Sequence, residues 1–367
     1  MQRVLLITGH VYASRRRAGF HFLAEAFHRA GWDVTFLTVA ISRLSRLRGD
    51  YRMAYLAADP PNRPRRVEDR LTSFIWYTPW HPAHLRSDAL NRLSRSWFSR
   101  YGDLPLGEAE AIAAGADLMV FESTPGIMLF DRLKQLSPRA RFVYRVSDDL
   151  RYLRNHPIVI ETEDRVAPLF DLVSVPCEYI HRRFANLPTA RLHPHAIRKE
   201  LFDRRQPRPF HEDGAHVIFT GNAYFDSDFL SRAARVAPEC RFHIFGDIAD
   251  LPTASNITAY GEAPFADTVP YLQHADIGLQ CLAYRPGAES FTDSLKVVQY
   301  TYCRLPIVAP DFLRSTRTNF FHYRPGDDAG IRRALMDARA MDRSTIHTDD
   351  IHSWDELATD LAGPPRG

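Results

Sequence analysis

Lysine is nearly absent from this 367-residue chain: only Lys134, Lys199 and Lys296 occur, and the formal net charge is just +3. Long apolar runs are absent too. No stretch reaches the ~18 residues that a bilayer span needs, so a membrane-spanning segment is not expected. The first residues, MQRVLLITGH, carry too short an apolar run and no small-residue cleavage site for a signal peptide. They read as a first core strand of a cytoplasmic protein. The four cysteines, Cys177, Cys240, Cys281 and Cys303, are scattered without a CxxC pair. That spacing argues against a disulfide framework or a zinc site and for buried free thiols.

What is present is globular: 45% hydrophobic residues, 25% charged, 12% aromatic and 25 prolines. The length suffices for two domains, each with a sizeable core. Arginine carries most of the positive charge and concentrates in the first third, at Arg15 to Arg17, at Arg43, Arg46, Arg48 and Arg52, and from Arg63 to Arg70. A basic surface of this kind suits phosphate-bearing ligands or an anionic membrane face. No recognition motif accompanies it, so nucleic acid is not an expected partner.

Short apolar runs alternate with helical stretches, the pattern of parallel α/β layers. The spacing predicts strands at Val4–Thr8, Asp33–Leu37, Thr72–Tyr77, Asp117–Phe121, Phe142–Val146 and Leu172–Val175. Helices are expected over 18–30, with Phe20, Leu23, Ala24 and Phe27 on one face, and over 107–114. The aperiodic polar stretch 201–214 contains two prolines and reads as a linker. A second series follows at Val217–Gly221, Phe242–Gly246, Ile257–Gly261, Ile277–Leu279 and Pro306–Ala309, with a helix over 293–302. The expected organisation is an N-terminal Rossmann-like domain over 1–200, the linker 201–214, and a C-terminal Rossmann-like domain over 215–340. The tail 341–367 either braces the first domain or is loosely ordered. Two such domains place a ligand cleft between them, at the C-terminal edges of both sheets.

In the second half, Gly221-Asn222-Ala223 follows a strand and precedes a helix, where backbone amides meet a diphosphate or simply make a tight turn. Ser294, Lys296 and Gln299 line up along one helix start, which puts a hydroxyl, an ammonium and an amide on a short path. In the first half, Asp148 and Asp149 end a strand where a carboxylate can take a proton from an acceptor hydroxyl. Spacing alone leaves the two equal, and either can serve a turn or a cap. Asp226 and Asp228 imitate an Asp-x-Asp metal site, but their place at a helix start points to capping. His193 and His195 lack metal-ligand spacing. His10, at the end of the first strand, is either structural or part of the cleft. Arg43 to Arg52 reads as a solvated basic face that could also rest on anionic headgroups.

These residues resemble the xanthan-type β-glucuronosyltransferases, membrane-associated inverting enzymes. The likeness runs from the first strand to about Pro325. It is densest at Arg16-Arg17-Ala18-x-x-His21-Phe22, Ser42 to Asp50, Val120-Phe121-Glu122-Ser123, Val143-Tyr144-Arg145-x-Ser147-Asp148, Tyr260-Gly261-Glu262 and Ser294-x-Lys296-x-x-Gln299-Tyr300. It implies an α/β fold of two Rossmann-like domains facing a central cleft (GT-B), with Asp148 as the catalytic base. It places Arg16, Gly221, Asn222, Ala223, Glu262, Tyr284, Ser294, Leu295, Lys296 and Gln299 in the nucleotide-sugar site, Tyr284 across a one-residue gap. Ala223 and Leu295 stand where the family has methionines. The implied reaction moves glucuronate from UDP-glucuronate to a lipid-diphosphate-linked oligosaccharide in bacterial exopolysaccharide synthesis. It needs no metal and no cofactor, and it proceeds at the inner face of the cytoplasmic membrane. An arginine such as Arg16 or Arg17 would pair with the uronate carboxylate. Two alternatives are a retaining GT-B transferase and a non-catalytic nucleotide-sugar-binding scaffold. The first is disfavoured because Phe291 and Gln299 occupy the positions of its glutamate pair, the second because Asp148 and Lys296 are both present.

Overall fold

The computed structural model describes residues 1–15, 17–222 and 224–364. The chain divides into two compact units, the first made of residues 1–176, 180–193 and 354 onward, the second of residues 177–179 and 194–353.

The first unit contains β1 (Arg3–Thr8), β2 (Asp33–Ser42), β3 (Pro64–Glu68), β4 (Leu71–Thr78), β5 (Leu118–Glu122), β6 (Arg141–Arg145), β7 (Leu172–Val175) and β8 (Ala190–Leu192). Their order across one sheet is β3-β4-β2-β1-β5-β6-β7-β8. Only the edge pair β3–β4 is antiparallel. Val4 to Ile7 and Leu118 to Phe121 are at most 2% exposed, as strands covered on both faces require. The helix Gly19–Arg29 turns Phe20, Leu23, Ala24 and Phe27 into this core. The sequence of the tail explains its course. The helix Trp354–Ala362 lays Trp354 against Phe22, with ring centroids 5.4 Å apart, and Asp355 pairs with Arg29 at 2.6 Å.

The second unit contains β9 (Ala215–Thr220), β10 (Cys240–Phe245), β11 (Ile257–Gly261), β12 (Ile277–Leu279), β13 (Ile307–Pro310) and β14 (Phe320–Tyr323). All neighbours are parallel and the order is β11-β10-β9-β12-β13-β14. Numbered from its own first strand this is 3-2-1-4-5-6, the doubly wound nucleotide-binding arrangement. Among the parallel strands of the first unit the same reversal occurs, between β1 and β5.

The stretch 201–214, expected as a linker, lies inside the second unit. Its polarity is misleading, because two aromatics anchor it. Phe202 is buried in the short helix Lys199–Asp203, and Phe210 stacks on His216 with centroids 3.9 Å apart. Residues 341–353 also stay with the second unit, and only the segment from Trp354 returns to the first. No disulfide joins the four cysteines, of which Cys177, Cys240 and Cys281 are buried.

Candidate active site

In a doubly wound sheet the strand order reverses at one point, and the loops there diverge to leave a crevice at the carboxyl ends of the strands. In the second unit that point lies between β9 and β12, and a cavity of about 340 Å³ opens there. Its walls include Gly221, Asn222, Gln280, Phe291, Lys296 and Gln299. The volume falls within the range of small-molecule sites.

Glycine at 221 and 246 is a steric requirement. A Cβ on Gly246 would stand 2.0 Å from the Gly221 carbonyl oxygen, and both residues have positive φ, +139° and +124°. The Gly221 amide donates to the Phe245 carbonyl at 2.9 Å, so the two strand-end loops lie backbone against backbone. The helix Leu295–Tyr302 is clamped over them. The Tyr300 ring covers Gly278, and its hydroxyl accepts the Thr220 amide at 3.1 Å. This fixes the helix start beside Gly221. Ser294 occupies the N-cap without spending its side chain on the helix, leaving the first-turn amides to the pocket.

Lys296 projects from that first turn. Its Nζ lies 4.1 Å from the centre of the Phe219 ring and within reach of Gly221. Burial lowers its pKa to about 8, opposed weakly by Cys281. A cation already stripped of much of its water, beside free amides, is the arrangement that binds a diphosphate. Gln280 was not singled out from the sequence. Its side chain is buried and donates to the Phe291 carbonyl at 2.8 Å and to Ser294 Oγ at 3.0 Å, while its Oε1 has no partner among the described residues. A ligand hydroxyl or N–H would satisfy it.

Gly221, Asn222, Ser294, Leu295, Lys296 and Gln299 therefore share one pocket. Glu262 and Tyr284 do not line it: Glu262 is exposed just past β11, and Tyr284 packs edge-on against Phe312 at 5.2 Å. Arg16 and Ala223 lie outside the described residues. Arg17 pairs with Glu25 and donates to the Tyr12 carbonyl at 3.3 Å. Asp226 caps the helix Ser227–Val236 through the Phe229 amide at 3.0 Å, and Asp228 pairs with Arg232 at 2.7 Å. Both aspartates are thus occupied as helix residues.

In the first unit the reversal point brings together the ends of β1 and β5, and β6 follows alongside. The two adjacent aspartates beyond β6 differ sharply here. Asp149 is buried, accepts the Arg151 amide at 3.0 Å and pairs with the Arg183 guanidinium at 3.1 Å. Asp148 is exposed, and no hydrogen bond to its carboxylate is found among the described residues. The amides of Ser147 and Asp148 both donate to Ser123 Oγ, at 3.1 and 3.0 Å, which holds the turn. Although the Asp148 carboxylate meets water, the protein packed around it withholds much of the bulk screening. Burial, then repulsion from Glu122, raise its pKa to about 6, with His10 opposing. A carboxylate poised there is a competent general base near neutrality.

Behind it lies a buried acid. Glu122 accepts hydrogen bonds from the Thr8 hydroxyl, from the Gly9 amide at 3.2 Å and from the Ser147 hydroxyl at 3.3 Å, and faces His10 Nε2 at 3.4 Å. Burial works to raise the Glu122 pKa, but His10 and these donors outweigh it and hold it below the usual value. Burial likewise works to lower the His10 pKa, and Glu122 outweighs it, so His10 titrates above ordinary imidazole. The dipeptide Glu122-Ser123 entered the sequence reading only through a resemblance. That a buried carboxylate ends a core strand is the signal that singles it out.

Two Rossmann-like units, each with its own reversal point, give the α/β fold of the GT-B glycosyltransferases. Solved structures of this fold include Trehalose-6-phosphate synthase OtsA (TM-score 0.55, 10% identity, covering 98% of this chain and 95% of that one) and Anabaena Alr3699/HepE in complex with UDP and glucose (0.56, 12%, 98% and 95%). Residues 6–176 match the family model described as glucuronosyltransferase GumK, N-terminal domain. The chain is 27% identical over 365 residues to the UDP-glucuronate:glycolipid 2-beta-glucuronosyltransferase of Xanthomonas campestris pv. campestris, covering 99% of this chain and 89% of that protein. The chain is thus similar over nearly its whole length to a xanthan-type glucuronosyltransferase, and its first half to the N-terminal domain of that family.

Proposed function

We propose that the chain is an inverting glucuronosyltransferase that moves glucuronate from UDP-glucuronate to a hydroxyl of a lipid-diphosphate-linked oligosaccharide, without a metal ion. The donor's diphosphate occupies the pocket at Gly221 and Lys296, and Asp148 takes the proton of the attacking hydroxyl. As the glycosidic bond to the diphosphate breaks, negative charge grows on the leaving oxygens, and the Lys296 ammonium and the amides at the helix start stabilise it. Gln299 and the open acceptor on Gln280 serve ribose or sugar hydroxyls. The observation that carries this reading is the placement of a desolvated lysine, the positive-φ Gly221 and a free helix start in one pocket, with Gly246 packed against the Gly221 carbonyl.

The donor and acceptor classes rest on the relative's activity toward UDP-glucuronate and a glycolipid. Because the acceptor is a lipid, the reaction takes place at a membrane surface. Among the described residues no helix is long and apolar enough to cross a membrane, and the exposed Arg43, Arg46, Leu47 and Arg48 offer a basic, partly apolar face for peripheral contact. The test is transfer from UDP-glucuronate and from UDP-glucose to a lipid-linked oligosaccharide in the presence of a chelator, with the anomeric configuration of the product read by NMR. A β-linked glucuronide formed with chelator present is expected. An α-linkage, loss of activity on chelation, or preference for UDP-glucose would overturn the proposal.

A further inference from the structure

We propose that Glu122, paired with His10, is a positioning residue for Asp148: it anchors the Ser147–Asp148 turn and sets a fixed negative charge behind the base. The inference rests on the reading of Asp148 as the base and adds to it a second contribution, after burial, to the basicity of that aspartate. Four donors converge on Glu122, from Thr8, Gly9, His10 and Ser147, and they come from the ends of two different segments of the first unit. A carboxylate needed only to satisfy strand-end amides would have no reason to be charged in so buried a place, where ionisation is costly. Its charge has a beneficiary. Repulsion between Glu122 and Asp148 makes the proton on Asp148 harder to lose, and the imidazolium of His10 opposes that effect. The pair therefore acts on the base with two opposite signs, so that removing either member moves the base in its own direction.

Two further groups face this cluster. Arg52 donates to the Gly9 carbonyl at 2.7 Å and to the Ala40 carbonyl at 2.8 Å, and is held by Asp50 at 2.7 Å. His21, whose ring centre lies 5.7 Å from that of His10, has a pKa lowered to about 4, by burial above all, and stays neutral across the working range.

The experiment is the pH profile of kcat/KM for transfer by the full chain carrying Glu122→Gln or His10→Gln, with Asp148→Asn as reference and UDP affinity as the check on folding. Glutamine keeps the shape of glutamate and removes its charge. The acid limb of the wild-type profile is expected near pH 6. Glu122→Gln should move it down by roughly half a pH unit, and His10→Gln should move it up, since removing a neighbouring charge shifts a carboxylate according to that charge's sign. In Glu122→Gln, kcat should also fall roughly tenfold, with the donor KM unchanged, as expected when a base loses its anchor. Acid limbs that stay put in both variants, or move together, overturn the inference while leaving Asp148 as the base. Should Glu122→Gln fail to fold, the half-exposed His10 position still gives the sign of the shift on its own. If Asp148→Asn transfers normally, it is the reading of the base that fails instead.

Discussion

Replacing Lys296 with methionine should make the ligand-free protein more stable and the nucleotide site markedly weaker. The folded chain holds the Lys296 proton with a pKa of about 8, against 10.5 for ordinary lysine. At pH 7, below both values, the fold carries a charge that the unfolded chain accommodates more easily. At ~1.4 kcal/mol per pH unit, that difference costs about 3 kcal/mol. The side chain lines the pocket and keeps some solvent, so about 1–2 kcal/mol is the recoverable part, enough to raise Tm by roughly 2–8 °C for a unit of this size. The sign is checkable within the wild type. Stability should rise as pH climbs from 8 toward 10.5, where the fold has shed the proton and the unfolded chain has not, and the Lys296→Met variant should lack that rise. Losing a charge-assisted contact of ~1.5–3 kcal/mol with the diphosphate should weaken UDP by roughly 10–150-fold. Thermal melts with and without UDP, together with calorimetric titration, measure both effects. A variant that melts several degrees lower and binds UDP as the wild type does would refute the assignment of Lys296 as the diphosphate ligand.

The pH profile of kcat/KM should be bell-shaped, rising through about 6 as Asp148 ionises and falling above about 8 as Lys296 loses its proton; a plateau from pH 5 to 10 would exclude both assignments. Gly246→Ala should cost more than about 2 kcal/mol and abolish UDP binding, because its Cβ collides with the Gly221 carbonyl at a φ of +139°, whereas Gly261→Ala, at a φ of +69° with nothing within 4 Å, should cost only about 1 kcal/mol. Equal losses in the two alanine variants, read from denaturant midpoints and UDP titration, would contradict the close-packed loops. Arg183→Met should lower stability by about 3–5 kcal/mol, because it leaves the buried carboxylates of Asp149 and Glu163 unpaired; a chemical melt like that of the wild type would show that this network is dispensable.

The central strands of both sheets were legible in the sequence because parallel strands, buried on both faces, read as unbroken apolar runs such as Val4–Ile7 and Val217–Phe219. Of the four edge strands only β11 was. β3 mixes Arg65, Arg66 and Glu68 with a single valine, β8 is only three residues long, and β14 is a four-residue Phe-Phe-His-Tyr. The helix Asp88–Phe98 escaped notice because it buries only Asn91 and Phe98 and exposes Leu90, Leu93 and Trp97, which inverts the usual pattern. The pocket's helix start was legible from Ser294, Lys296 and Gln299 at helical spacing. Gln280 was not, since a lone glutamine after a three-residue strand announces nothing until the fold carries it to the reversal point. Spacing alone left Asp148 and Asp149 equal and the resemblance chose Asp148; the structure adds that Asp149 is buried and paired with Arg183.

The most direct measurement of the central claim is glucuronate transfer by Asp148→Asn set beside its affinity for UDP. Asparagine keeps the turn, since the Ser123 contacts run through backbone amides, and removes only the proton acceptor. Turnover should fall by about 10²–10⁴-fold, with UDP binding within twofold of wild type. A variant that keeps a tenth or more of the wild-type rate would show that another group accepts the proton, and the account of this site would not stand.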